Sequence, residues 1–218
     1  MTLPFTTEQF LEIFRQYNTT IWPMQILLAA VGLAAAVLAG LRRGGRPVSI
    51  CLASLWAWTA IVYHWTFFTR INGAAWLFGA IWLAGAAAFA WDAVRPRALP
   101  FAGKSRVRQA VGWTLVVYAL VVYPILGHFD GRAYPLAPTF GAPCPVTIVT
   151  FGVLWLSAPL PRRYLLVAPL LWAAVGSSAA FTLGVREDLG LAVAGLSGLV
   201  LLLRPASTRV KPSAQVKA

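Results

Sequence analysis

Charge is scarce in this chain. Of 218 residues only 11% are Asp, Glu, Lys or Arg, 59% are hydrophobic and the mean hydropathy is +0.72, whereas soluble domains carry roughly 25% charged residues. A soluble domain is excluded, and the chain reads as an integral membrane protein. Cysteine is equally rare: Cys51 and Cys144 are the two present, and the topology below puts them on opposite membrane faces, so no disulfide framework is expected. The N-terminus has no basic region before the first apolar run at Ile21, so no cleavable signal peptide is expected and the first span serves as its own targeting signal.

Other absences narrow the chemistry. Lys104, Lys211 and Lys217 all lie outside the apolar runs, which excludes a retinal Schiff base. No Asp or Glu falls in the middle of a run, which weakens pump readings built on buried carboxylates. Two histidines, His64 and His128, cannot assemble a three-histidine zinc site. Neither a phosphate-cradling glycine loop nor a nucleophile elbow occurs, so the reading favours a non-enzyme and no cofactor is evident.

What is present is a series of apolar runs at about 21–41, 49–69, 73–94, 109–127, 144–158, 164–185 and 189–203. A span takes roughly 20 residues, so the fifth and seventh are short. We expect an all-α bundle of about seven transmembrane helices in one domain over residues 1–203, followed by a disordered tail at 204–218. With seven spans, 14 of the 18 basic residues share one side: Arg42, Arg43, Arg46, Arg95, Arg97, Lys104, Arg106, Arg108, Arg162, Arg163 and those of the tail. The other side receives Arg15, Arg70, Arg132 and Arg186. The positive-inside rule then places the N-terminus outside and the C-terminus in the cytoplasm. It also accounts for the net charge of +12 without a nucleic-acid partner.

Before the first run, Phe5 to Tyr17 reads as a short amphipathic helix. Thr6 is its N-cap, Gln9 completes a capping box, and Phe5 faces Phe10 as a hydrophobic staple. Phe10, Ile13, Phe14 and Tyr17 share one face, which suits either an interfacial helix or a lid over an external cavity. Small residues recur every four positions at Gly32, Ala36, Gly40 and at Gly190, Ala194, Gly198, a spacing that lets helices approach closely. Trp22, Trp65, Trp76, Tyr123 and Tyr134 are expected in an outer aromatic belt, and Trp91, Trp113, Trp155 and Tyr164 in an inner one. A faint internal echo relates Trp58–Tyr63 to Trp113–Tyr118 and Phe78–Trp82 to Phe151–Trp155.

The stretch from Gly127 to Gly152 concentrates the polar chemistry. Its Pro135, Pro138, Pro143 and Pro145 forbid a regular helix through the loop, and Pro145 suits the first turn of the next span. A structureless loop of that length is unusual unless it serves a function. If it dips into the bundle, Cys144 and Thr147 share the face that meets a solute. His64 lies about five residues from the end of its span, roughly 8 Å deep at 1.5 Å per residue. An external candidate layer therefore comprises His64, Asn72, His128, Asp130, Tyr134, Thr139, Cys144, Thr147, Glu187 and Asp188. Within it His64, His128, Asp130 and Cys144 offer mixed N, O and S donors for zinc or copper. Asp92 is expected to pair with nearby Arg95 at the opposite interface.

Phe5-Thr6-Thr7-Glu8-Gln9-Phe10, Trp22-Pro23, Tyr63-His64-Trp65, Ile71-Asn72, Tyr134-Pro135, Pro138-Thr139-Phe140-Gly141, Pro143-Cys144-Pro145, Thr150-Phe151-Gly152 and Asp188-Leu189-Gly190 give the chain its family resemblance. It resembles a family of uncharacterised bacterial multi-pass membrane proteins, a domain of unknown function whose members sometimes carry permease labels. The resemblance implies a bacterial inner membrane and carries over no activity, cofactor or catalytic residue. The functional expectation is a small-solute or ion permease with an outward-facing site. The alternatives are a membrane-embedded metal-binding protein or enzyme, and a structural subunit that binds a membrane partner or its own copies.

Overall fold

The computed structural model describes residues 4–101 and 105–204. Lys104 and the tail residues Arg209, Lys211 and Lys217, with the disorder expected there, lie outside the described residues. The described chain is helical, and its extended pairing is confined to isolated bridges of Phe101 with Ala158 and Phe140 with Ala142.

Helix α1 (Thr7–Ile21) starts as its local signals require. Thr6 Oγ1 accepts from the Gln9 amide at 3.3 Å, Gln9 Oε1 accepts from the Thr6 amide at 2.9 Å, and Phe5 stacks on Phe10 at 5.9 Å. Trp22 and Pro23 break the helix, because proline disfavours helical backbone in the residue before it. Helix α2 (Met24–Gly40) then leaves at 91°. The apolar face of α1 is consumed by protein: Phe14 stacks on Tyr63 at 5.6 Å, and Tyr17 meets Tyr63 and Phe67 edge-on.

The remaining helices connect two ends of a bundle. They are α3 (Gly45–Arg70), α4 (Ala75–Val94), α5 (Arg106–Phe129), α6 (Pro143–Leu156), α7 (Tyr164–Leu183) and α8 (Leu189–Leu203), the last entered through a 3₁₀ turn at Arg186–Asp188. Helix α3 widens to π geometry over Thr59–Phe67, and α5 does so over Tyr118–Val122. The first begins inside the echoing segment Trp58–Tyr63 and runs on to Phe67, and the second begins at Tyr118, the last residue of the segment Trp113–Tyr118. Four helices, α3, α4, α5 and α7, are long and apolar enough to cross a membrane, and α1 with α2 makes a fifth if the bent pair counts as one. The expected seven spans are thus not all met by length: α6 has 14 residues and α8 has 15.

Helix α6 is short because it does not face lipid. Every residue from Pro145 to Leu156 is buried, and α2, α5, α7 and α8 surround it. Its closest neighbour is α5, where a Cβ on Gly152 would lie 2.8 Å from the Gly112 carbonyl oxygen and 3.2 Å from the Val116 amide nitrogen. The spaced glycines elsewhere work differently from the expected backbone approach. Gly32 receives the Phe140 ring, Gly40 receives Trp113, Gly190 receives Tyr118 and Gly198 receives Phe151, so these small residues are sockets for aromatic side chains.

The residues expected in aromatic belts divide between surface and interior. Trp22, Trp76, Tyr134 and Trp91 are exposed on the surface, but Tyr123 and Trp155 are buried. Trp155 donates its indole N–H to Ser197 Oγ at 3.0 Å, tying α6 to α8. The expected Asp92–Arg95 pair is replaced by a longer-range one. Asp92 is buried and accepts from Arg162 Nη1 at 2.5 Å, Ser49 Oγ at 2.8 Å, the Leu99 amide at 2.8 Å and Tyr164 Oη at 3.0 Å. Arg95 instead stacks over Trp91 at 6.0 Å. A buried carboxylate needs several donors at once, and a residue three positions away cannot supply them.

The α5–α6 crossing provides a stability test. Gly152→Ala should cost about 1–3 kcal/mol, the usual range for forcing atoms into a filled interior, and lower the melting temperature in detergent. Gly73→Ala, at a position where an added Cβ meets nothing within 4 Å, should leave it unchanged. Equal melting of the two variants would remove the backbone contact as the determinant of this packing.

Candidate functional site

The loop after α5 is organised by Asn18, a polar residue on the buried face of α1. Its Nδ2 donates to the carbonyl oxygens of Pro135 at 2.6 Å and Ala137 at 2.7 Å, and its Oδ1 accepts from Thr139 Oγ1 at 2.6 Å. Its own carbonyl accepts from Gln25 Nε2 at 2.7 Å and Tyr134 Oη at 3.3 Å. Tyr134 and Thr139 are therefore clasp residues that fasten the loop to α1. The loop then dips inward at Gly141, whose φ of +104° and contacts with Leu28 and Tyr17 suit only glycine. The Gly141 carbonyl accepts from Thr59 Oγ1 on α3 at 3.3 Å.

Between this loop, α1 and the bundle lies a cavity of about 170 Å³. Phe5, just before α1, and Phe10 and Phe14 on it cover the cavity, Tyr63, Phe68, Phe78 and Trp172 wall it, and Pro143 and Cys144 at the start of α6 lie beneath. Its polar groups are Asn72, Cys144, Ser178, Tyr123 and Asp188. Asp188 is buried and accepts from Tyr123 Oη at 2.5 Å, with the Cys144 thiol alongside. Removal from water pushes its carboxyl up to about 7, because burial disfavours the charged form.

Beside it, Glu187 is held differently. Arg132 donates to both of its carboxylate oxygens, at 3.2 and 2.5 Å, and also bridges to Asp130 at 3.0 Å. Arg186 approaches the second Asp130 oxygen at 3.5 Å. Two adjacent carboxylates thus have separate roles: Glu187 is paired in a salt bridge that closes the loop onto the 3₁₀ turn, and Asp188 faces the cavity.

The candidate layer resolves into distinct groups. Asn72, Cys144 and Asp188 line the cavity together. His64 sits one side chain behind its wall, 4.8 Å from the Trp172 ring centre and within about 6 Å of Phe68, Phe78 and Trp82. Neither His64 ring nitrogen has a hydrogen-bond partner among the described residues, nor does the Trp172 indole nitrogen. His128 is exposed beside Phe129 at the end of α5, away from His64 and Cys144. Thr147 is buried and donates to the Pro143 carbonyl at 2.9 Å, so it does not share the cavity with Cys144. Among the described residues no group of three His, Cys, Asp or Glu side chains is placed to hold a metal ion.

Asn18, which fastens the loop, and Tyr63, which walls the cavity, are not in the candidate layer read from the sequence. The signal for Asn18 was available as a polar side chain in register with Phe14 and Ile21 on an otherwise apolar helix face.

Comparison with family models matches residues 7–211 to DUF6064, a family of unknown function. The chain belongs to that family. No curated protein and no solved structure matches it. The match takes in α1 from its first residue, the clasp loop, α6 and the Asp188 turn, so the whole cavity except Phe5 lies within the family's extent.

The raised Asp188 carboxyl predicts a pH dependence of stability. Its pKa in the folded state, about 7, lies above the ordinary aspartate value of 3.8, so between these values the native state holds a proton that the unfolded state has lost. Its contribution to stability is fully present below about pH 4 and is lost as pH rises through about 7. Melting in detergent should therefore drop between pH 5 and pH 8, and Asp188→Asn should flatten that drop; an unchanged slope in the variant assigns the titration elsewhere.

Proposed function

We propose that this family member is a multi-pass membrane protein that binds a small amine in the α1-covered cavity, as the outward-facing site of a small-solute permease. The observation that carries the reading is a buried carboxylate, Asp188, opening into a chamber walled by aromatic rings. Aromatic faces attract a cation, more strongly where water is excluded, and a carboxylate adds a charge-assisted hydrogen bond to an N–H donor. An enclosed space of about 170 Å³ favours a compact ligand of a few carbons over a metabolite with a phosphate or sugar.

Orientation supports an outward site. The 14 basic residues named above lie away from α1 in the sequence topology, and the positive-inside bias puts that end in the cytoplasm of a bacterial inner membrane. The π-helical stretches support mobility near the site. Tyr63 lies within one, and Tyr123 directly follows the other; such stretches concentrate where helices carry function. Binding of an ammonium to ionised Asp188 displaces the proton the empty site holds, so affinity should rise with pH through about 7.

Trimethylammonium and tetramethylammonium titrated into detergent-purified protein, followed by tryptophan fluorescence, test the reading because Trp172 lines the chamber. Asp188→Asn should weaken binding about tenfold, or roughly 1.4 kcal/mol, and abolish its pH dependence. Phe10→Ala should weaken it by a smaller factor without altering the pH profile. Proteoliposome uptake of a radiolabelled amine then separates transport from binding. Binding that ignores both substitutions, or that is matched by a neutral isostere such as tert-butyl alcohol, would sink the proposal.

A further inference from the structure

The opposite end of the bundle holds a second, chemically different site. Arg46 at the start of α3, Arg95 and Arg97 after α4, and Arg162 before α7 surround an open cavity of about 770 Å³. All six acidic residues of the chain fall within the described residues, and Asp92 is the one at this end. It is already engaged by Arg162 at 2.5 Å, which leaves the other three guanidinium charges without a carboxylate.

The arginines are partly fixed in place. Arg46 Nε donates to the Ala93 carbonyl at 2.9 Å, Arg162 Nη2 donates to the Arg97 carbonyl at 2.7 Å, and Arg95 leans on the Trp91 ring. Each anchored guanidinium keeps further N–H groups for a ligand, in the fork geometry that suits phosphate oxygens. The chain at Leu99 lies so close to α3 that a Cβ on Gly45 would meet the Leu99 carbonyl oxygen at 1.9 Å. Gly44 and Gly45 at the α3 N-terminus, which has no side-chain cap, form one wall.

Arg46 also lines a neighbouring groove of about 460 Å³ between α3 and α4. Its other walls are Ile50, Ala53, Ser54, Ala90, Ala93 and Val94. Ile50 and Val94 are exposed, and both helices are long and apolar enough to cross a membrane. A strongly cationic cavity and an apolar slot thus adjoin at Arg46, the slot lying between two helices long and apolar enough to cross a membrane.

We propose that these two spaces form one site for an anionic glycerophospholipid. Its phosphate lies among Arg46, Arg95, Arg97 and Arg162, and one acyl chain lies in the α3–α4 groove. Charge complementarity selects the headgroup, and basic pockets between membrane helices are a general means of holding such lipids. The adjoining apolar slot favours a lipid over a free anion, because inorganic phosphate would leave it empty.

Native mass spectrometry of the full-length protein in detergent, titrated with phosphatidylglycerol, phosphatidylcholine or inorganic phosphate, tests this assignment. Phosphatidylglycerol should bind about tenfold more tightly than phosphatidylcholine. Arg95→Gln with Arg97→Gln should remove that preference, while Arg42→Gln with Arg43→Gln, an equal charge change outside the cavity, should alter it less than twofold. Ser54→Trp, at an exposed position on the groove, should weaken phosphatidylglycerol at least fivefold. Equal losses from both arginine pairs would mean diffuse attraction in place of a site. Competition by millimolar phosphate as effective as that of the lipid, with Ser54→Trp silent, would reduce the site to a free-anion pocket and overturn the lipid.

Discussion

The structure depends on one helix that has no surface of its own. Helix α6 is buried from Pro145 to Leu156, and at 1.5 Å per residue its 14 residues reach only about 21 Å. A hydrocarbon core is about 30 Å thick, so the helix leaves space at its ends. At the Pro143 end that space is the aromatic cavity. At the Leu156 end it is filled by the segment that returns past Pro100, where the Ala158 amide donates to the Pro100 carbonyl at 2.7 Å. The cavity is thus a geometric consequence of a central helix shorter than the bundle around it.

A short central helix requires other groups to satisfy backbone that would otherwise be buried without partners. Pro143 and Pro145 remove two amide donors from the first turn of α6, where intrahelical acceptors are lacking in any case. The irregular loop before it meets α1, and Asn18 supplies the hydrogen bonds for Pro135, Ala137 and Thr139 that no helix or sheet provides there. The loop, α1 and the cavity are therefore one coupled unit. Loss of the Asn18 amide would free the loop and, with it, the cover over Asp188.

Much of this was legible locally and little of it at long range. The capping box at Thr6 and Gln9, the Phe5–Phe10 staple and the proline start of α6 rest on contacts within a few residues, so their chemistry is written in adjacent positions. Partner choice across the fold is not. Asp92 selects Arg162, seventy positions away, over neighbouring Arg95 because a buried carboxylate needs four donors converging from separate segments. The spaced glycines announced close packing, but aromatic rings entering from Phe140, Trp113, Tyr118 and Phe151 fill them. Of the candidate layer, Asn72, Cys144 and Asp188 line one cavity, whereas His128 is exposed and Thr147 turns its hydroxyl to the Pro143 carbonyl. Which side of a helix a polar group takes depends on neighbours that periodicity does not name.

The same packing makes the cavity one-sided. Below its wall, Trp56 stacks on Trp82 at 4.0 Å with Phe89 6.0 Å from Trp56, and the Trp56 indole donates to Thr150 Oγ1 at 3.0 Å on α6. This aromatic layer fills the middle of the bundle and is tied to the central helix by a hydrogen bond. Any passage from the cavity to the arginine-rich end has to part the stack or move α3 relative to α6. The π-helical stretch of α3 begins at Thr59, three residues beyond Trp56, and Thr59 also donates to the loop carbonyl of Gly141. A change of register in that stretch would shift the lid-side wall at Tyr63 while its lower boundary stays anchored at Trp56. The aromatic stack and the cavity wall are therefore joined through a segment of α3 whose backbone hydrogen bonding is already irregular.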